Sequence, residues 1–183
     1  MRLLLLLVLT MSVSGCVAGG WAVSAGPTLD TEGEVGIMLQ ARMGLGFATS
    51  RHAGVILSPR AGVGAGFTPG RFQVKAGAEI DWVHYWQNLG LRVGFSDGYV
   101  GSSDPKGWRN DLFASIPTAL LFILDENYFR GHEKGLSASS DTFHSLGILF
   151  EPAIVLPASG EDRPYRWSFF LGPVYEVDSF SRW

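Results

Sequence analysis

Cysteine is almost absent: Cys16 is the single one in 183 residues. One thiol cannot make an intrachain disulfide, a CxxC motif or a cysteine-rich metal site. Charge is also scarce. Asp, Glu, Lys and Arg make up 17% of the chain, against about 25% in typical soluble domains. The net charge is −3 and no basic patch gathers anywhere, which argues against nucleic acid as a partner. Beyond residue 15, no apolar run approaches the ~20 residues that a spanning helix needs. HExxH, GxSxG, Walker and dinucleotide signatures are missing, so no cofactor is expected. No solenoid or propeller repeat is evident.

What is present starts at the N-terminus. Arg2 gives one positive charge, and Leu3 to Leu9 form an unbroken apolar run. Thr10, Ser12, Ser14 and Gly15 follow. This is the layout of a secretory signal, too short to span as a helix; the rival is a single-pass anchor. Val13-Ser14-Gly15-Cys16 resembles the bacterial lipobox. That resemblance implies cleavage before Cys16, acylation of Cys16 and sorting to the outer membrane. The alternative is ordinary cleavage after Ala18. Each buried methylene contributes about 0.8 kcal/mol, so two or more acyl chains anchor a protein stably. Residues 1–15 are thus read as signal, 16–19 as a lipidated tether and 20–183 as one domain.

That domain alternates. Val35, Ile37, Leu39, Ala41, Met43, Leu45 and Phe47 share one face of a strand, with Gly36, Met38, Gln40, Arg42, Gly44 and Gly46 on the other. The same period runs through Val55–Phe67 and Phe72–Trp86. Polar links at 49–52 and 69–71 are short, so these strands pair as antiparallel hairpins. Further strands are expected at 21–29, 89–95, 110–124, 143–156 and 165–177. Loops are expected at 97–106 and 125–140. Glycine, 24 residues in all, and aromatics at 13% favour strands over helices. The fold class is all-β: a single eight-stranded antiparallel up-and-down β-barrel.

Two barrels fit this pattern. A lipocalin-like soluble barrel turns its apolar face inward, and a membrane barrel turns it to lipid. The polar face here is mostly glycine, which weakens a water-facing strand but suits a narrow lumen. The strands are long enough for a tilted span of about 9–11 residues. The charges on the polar face come near balance: Arg42, Arg60, Lys75, Arg92 and Arg166 against Asp30, Glu79, Asp81, Glu151 and Glu176. Together with the lumenal position this predicts a charge network, since unpaired buried charges are costly. Pro27, Pro59, Pro117, Pro152 and Pro173 fall inside the expected strands and cannot donate to a ladder, which counts against a closed barrel: either they mark strand starts and bulges near a rim, or some of these strands are misdrawn.

The chain resembles the small eight-stranded outer-membrane barrels of the OmpA/OmpX type over residues 20–183. Gly172-Pro173-Val174-Tyr175-Glu176-Val177 looks like their C-terminal assembly signal, and Trp183 is a terminal aromatic. Six residues follow Val177, and these barrels are usually not lipidated; both are departures. The resemblance implies outer-membrane lipid as surroundings and the barrel-assembly machinery as a partner during biogenesis. Gly19-Gly20-Trp21 matches the GxW motif of lipocalins, which keeps the lipid-anchored, ligand-binding soluble barrel as the alternative.

Candidates for chemistry are few. A barrel lipid A deacylase would need His-x-Ser on one face, but His144 and Ser145 are adjacent and point to opposite faces. His52 and His132 fall in links, and His132-Glu133 lacks a second ligand at metal spacing. His84 sits between Trp82 and Trp86 as an interfacial group. Glu79 and Asp81 share a face and read as lumenal ion-pair partners. No catalytic or metal residue is assigned. The expectation is a non-enzymatic outer-membrane lipoprotein barrel with an envelope structural or surface-interaction role. A lipid-modifying barrel enzyme is the third reading.

Overall fold

The computed structural model describes residues 16–67, 71–104, 107–130, 139–157 and 163–182. These form nine strands: β1 (Cys16–Asp30), β2 (Val35–Ala48), β3 (Ala53–Gly66), β4 (Phe72–Trp86), β5 (Leu89–Asp104), β6 (Gly107–Ser115), β7 (Thr118–Arg130), β8 (Ser139–Pro157) and β9 (Arg166–Arg182). All described pairings are antiparallel. The ring has eight positions, because β6 and β7 share one of them. β5 pairs with β6 along Ser96–Asp104 and with β7 along Leu89–Val93. β8 pairs with both in the same way. The single expected strand 110–124 is therefore broken at Ile116-Pro117, where Pro117 has no N–H to donate.

Register shows how the ring closes. Partners traced from Trp86 run through Leu89, Phe122, Leu146, Tyr175, Val23, Ala41 and Ala61. The path re-enters β4 at Ala76, ten residues from its start. A stagger of that size tilts eight strands by about 40° from the barrel axis. Cys16, Trp86 and Arg182 then lie at one end and Asp30, Phe72 and Arg166 at the other.

The apolar face is outside. Leu39, Val63 and Ile80 are 54%, 48% and 50% exposed, whereas Arg42, Arg60 and Glu79 are 7%, 7% and 2% exposed. A soluble lipocalin-like barrel requires the reverse. Trp21, the last residue of the GxW match, also faces outward and packs at 5.5 Å against Tyr175. Aromatics collect towards both ends of the wall, Trp82 and Trp86 near the termini and Trp108, Tyr165 and Trp167 near the opposite rim. That is the girdle pattern of a membrane barrel.

The prolines sit where rungs are missing. The β1–β9 ladder skips from Ser24↔Val174 to Thr28↔Phe170, the stretch holding Pro27 and Pro173. The β2–β3 ladder skips from Arg42↔Arg60 to Leu45↔Leu57, beside Pro59. Pro152 falls between the β6 and β7 segments of the β8 ladder, where Ile116 N–H donates to its carbonyl at 3.1 Å. The cost of each proline is one local interruption rather than an open edge. The lumenal glycines have a steric reason as well. A Cβ on Gly46 would lie 1.8 Å from the Val55 carbonyl oxygen, so the two strands approach as only glycine allows.

Several boundaries differ from the sequence reading. β1 begins at Cys16, so residues 16–19, expected as a tether, are paired strand against Arg182 to Ser179. β5 runs on to Asp104 through the stretch read as a loop. β7 and β8 extend into the expected 125–140 loop, to Arg130 and from Ser139. β9 continues five residues past Val177. Polar and glycine-rich composition suggested loops there, but strand pairing with a long neighbour overrides local propensity. His132, Glu133 and Trp183 lie outside the described residues.

Candidate functional site

The lumen is filled in layers. Nearest the termini it is aromatic and aliphatic. Tyr85 stacks on Phe143 at 4.5 Å, Phe180 packs at 6.0 Å from Phe143, and Ile56, Val83 and Leu121 close around them. His52, in the β2–β3 link, sits edge-on to Phe143 at 5.7 Å and 3.9 Å from the Asp141 carboxylate.

The next layer is ionic and centres on Arg42 of β2. Its guanidinium bonds Glu176, lies 3.3 Å from Asp81 and 3.7 Å from Glu79, and donates to Ser58 Oγ at 3.4 Å. Arg92 of β5 reaches Glu79 at 3.4 Å and Glu176 at 3.5 Å. Tyr85 Oη donates to Asp178 at 2.7 Å, which ties the aromatic layer to the ionic one. Alternation produces this geometry. Every second residue of β2, β4, β5 and β9 points inward, and the stagger brings those positions to similar heights.

Above it, Glu151 of β8 gathers three groups. Arg60 Nη2 donates to it at 2.7 Å, Ser115 Oγ at 2.7 Å, and Lys75 Nζ also bonds it. Arg60 Nη1 donates to Glu79 at 2.7 Å and so joins the two ionic layers. Lys75 additionally lies 4.2 Å over the Phe113 ring, within cation–π range. At the far rim Arg166 lies 3.3 Å from Asp111, 3.3 Å from Glu32 and 3.6 Å from Asp30. Arg163 donates to Asp111 at 3.0 Å, and Arg71 pairs with Glu34.

All nine residues assigned to a lumenal network from the sequence are buried inside the barrel: Arg42, Arg60, Lys75, Glu79, Asp81, Arg92, Glu151, Arg166 and Glu176. Arg166 is separated from the rest, at the rim. Asp30 is at that rim too and only half-buried. The five-against-five balance does not hold. Asp111, Asp141 and Asp178 are also buried, giving seven buried carboxylates to five buried cations among the described residues. Each additional acid has its own neighbour: Arg163 for Asp111, His52 for Asp141 and the Tyr85 hydroxyl for Asp178. The signal for them was inward parity, readable only once β6, β8 and β9 had their true starts and ends.

This filling leaves little space. Among the described residues, a pocket of about 50 Å³ opens at the rim beside Arg71 and Arg166, and two voids deeper in the lumen measure about 20 Å³ each, the room of a single water. Among the described residues, no three of His, Cys, Asp and Glu meet in a way that could hold a metal ion. On the outer wall, His144 Nδ1 hydrogen-bonds Tyr175 Oη at 2.9 Å, and Thr142 donates to Ser179 at 3.2 Å. Ser145 points the other way, into the lumen, 3.4 Å from Tyr85 Oη.

No family model matches the chain, and no curated protein matches it in sequence. Its likenesses are to solved structures. The crystal structure of the outer membrane enzyme PagL aligns with a TM-score of 0.54 at 10% identity, over 87% of this chain and 97% of that one. Neisserial surface protein A aligns with a TM-score of 0.47 at 11% identity, over 88% of this chain and 96% of that one. This is the eight-stranded outer-membrane barrel fold. The expectation that such a chain is no enzyme has to be corrected. PagL is an outer-membrane enzyme built on the same architecture, so a small closed barrel gives no ground for excluding catalysis.

Proposed function

We propose that this chain is a lipid-anchored outer-membrane barrel that serves the envelope through its walls and rims, as a structural or surface-interaction protein, and not as a passage. The filled lumen carries this reading. Opening a path along the axis would mean separating Arg42, Arg60 and Glu151 from partners that they hold away from water. A buried pair broken by loss of one partner costs about 3–5 kcal/mol. What remains available to other molecules is the apolar outer wall and the two ends.

Cys16 supports the anchor. The lipobox-like residues before it end where β1 begins, at the rim where Cys16 pairs with Arg182. Acyl chains attached there enter the same bilayer leaflet that the adjacent wall meets. A chain delivered by a secretory signal and inserted from the periplasm leaves its termini on that side. The opposite rim, with Arg166, Asp30 and the 31–34 link, then faces the exterior.

Two measurements test the proposal. Mass spectrometry of the mature N-terminus is expected to show a diacylglycerol-modified, N-acylated Cys16; an unmodified terminus after Ala18 overturns the anchor. In planar bilayers the purified barrel is expected to give no stepwise conductance. Stable channel steps would overturn the closed lumen.

A further inference from the structure

The outer wall carries a carboxylate in the middle of its apolar band. Asp97 is exposed and lies near the centre of β5, seven residues from the strand end at Asp104. Its cross-strand neighbours are Ala78 of β4 and Ala114 of β6. Phe95 and Tyr99 flank it along the strand and are both exposed, as are Ile80 and Leu112 diagonally across. The strand cannot turn it inward, because Ser96 takes the lumenal position and donates to the Ala78 carbonyl at 2.9 Å.

At about 3.3 Å per residue and ~40° of tilt, seven residues correspond to roughly 18 Å of wall height. A long cationic side chain can snorkel part of such a distance; the short aspartate cannot. Among the described residues, none makes an ion pair or hydrogen bond with the Asp97 side chain. The cations nearest in height, Arg60, Lys75 and Arg92, are all buried in the lumen on the other side of the wall. An ionisable group set in a bilayer is expensive, and it is ordinarily retained for a partner that meets it there.

We infer that this face docks the transmembrane segment of a partner protein that brings a lysine or arginine to the depth of Asp97. Charge complementarity selects the partner. A second copy of the chain offers no outward cation at that depth among the described residues. Lipid headgroups meet the wall at its rims and not at its middle. The neighbouring side chains suit a docked segment. Ala78 and Ala114 leave room on both sides of the carboxylate for an incoming side chain. Ala76 and Ala61, in register with each other on the same outer face, continue the low relief across β4 and β3. The inference rests on the membrane-spanning reading above.

The test uses residues 16–183 produced without the signal segment, so that Cys16 stays unacylated, and refolded into phosphatidylcholine vesicles with a donor dye on that single thiol. The probes are synthetic single-span helices of leucine and alanine carrying lysine, arginine or leucine at their centre and an acceptor dye at one end. The lysine and arginine helices are expected to associate at about a tenfold lower peptide-to-lipid ratio than the leucine helix. Asp97→Asn, or Asp97→Ser if the first variant refolds poorly, is expected to erase that advantage. Equal association of all three helices with the unaltered barrel would overturn the inference, as would an advantage that survives the substitution. Heat-modifiable migration and protease protection read insertion separately. Loss of insertion by the unaltered barrel overturns the membrane-spanning reading itself, so the two failures are distinguishable.

Discussion

Replacing Glu151 with glutamine keeps the shape of the side chain and removes one negative charge from the centre of the lumen. Glu151 is 1% exposed and accepts from Arg60, Lys75 and Ser115. Arg60 bonds one carboxylate oxygen and Lys75 and Ser115 share the other, so the amide NH2 must face either Arg60 or Lys75, and neither cation keeps a negative charge at this position. Arg60 keeps Glu79 at 2.7 Å, whereas Lys75 keeps only the Phe113 ring. The lysine is thus left as an uncompensated buried charge, a situation that costs about 3–5 kcal/mol. Urea unfolding in detergent micelles or thin bilayers, followed by tryptophan fluorescence and by heat-modifiable migration, measures the loss. With a slope of about 2 kcal/mol per molar urea, the midpoint falls by roughly 1.5–2.5 M. Adding Lys75→Met to Glu151→Gln removes the stranded cation and should recover about half of the loss. That coupling follows from contact between the two side chains. If Glu151→Gln costs less than about 1 kcal/mol, or if Lys75→Met deepens the loss, the charge network does not hold the lumen as argued.

Other outcomes follow from the same geometry. Leu39→Arg places a cation on the lipid face and should lower stability by about 2–4 kcal/mol in bilayers, whereas a soluble barrel would tolerate the change; urea titration in vesicles decides. Gly46→Ala should leave the barrel largely unfolded in heat-modifiability gels, since the new methyl would meet the Val55 carbonyl oxygen at 1.8 Å. Gly33→Ala meets no atom within 4 Å but sits at φ +79° in the β1–β2 turn. It should therefore cost only about 1 kcal/mol by the same gel titration. Tyr85→Phe removes the hydroxyl that donates to the buried Asp178 and should cost about 1–3 kcal/mol in urea midpoint terms.

The strand periodicity was legible in the sequence wherever one face is bulky and the other small. Val35–Phe47 and Val55–Phe67 are the clearest cases, and their inner and outer faces follow from it. Composition misled at the ends of strands. Asp97 and Gly98 open the expected 97–106 loop, yet β5 runs through them because β4 and β6 pair with both residues. That error concealed Asp97, the outward carboxylate, within an expected loop. The prolines read as objections to a closed barrel, and Pro27, Pro59 and Pro173 show why they are not. A closed ladder loses two or three residue pairs and stays closed, because the flanking pairs on both sides remain. Asp141 and Asp178 were missed because β8 and β9 run past the ends that composition suggested, and Asp111 because both faces of its strand are apolar and one residue of phase moves a side chain across the wall. Where the network links up was beyond sequence, since the ten-residue stagger decides which strands' charges share a height.

Spin labels placed singly by cysteine substitution on a Cys16→Ser background, in bilayer-reconstituted barrels, test the central claim most directly. The claim is that the apolar face meets lipid around a closed lumen. Labels at Leu39, Val63 and Ile80 should collide readily with oxygen and hardly at all with a water-soluble nickel complex. Labels at Gln40 and Ser58 should be shielded from both. Strong nickel collisions at Leu39, Val63 and Ile80 would mean that the apolar face is in water, and the account would be contradicted.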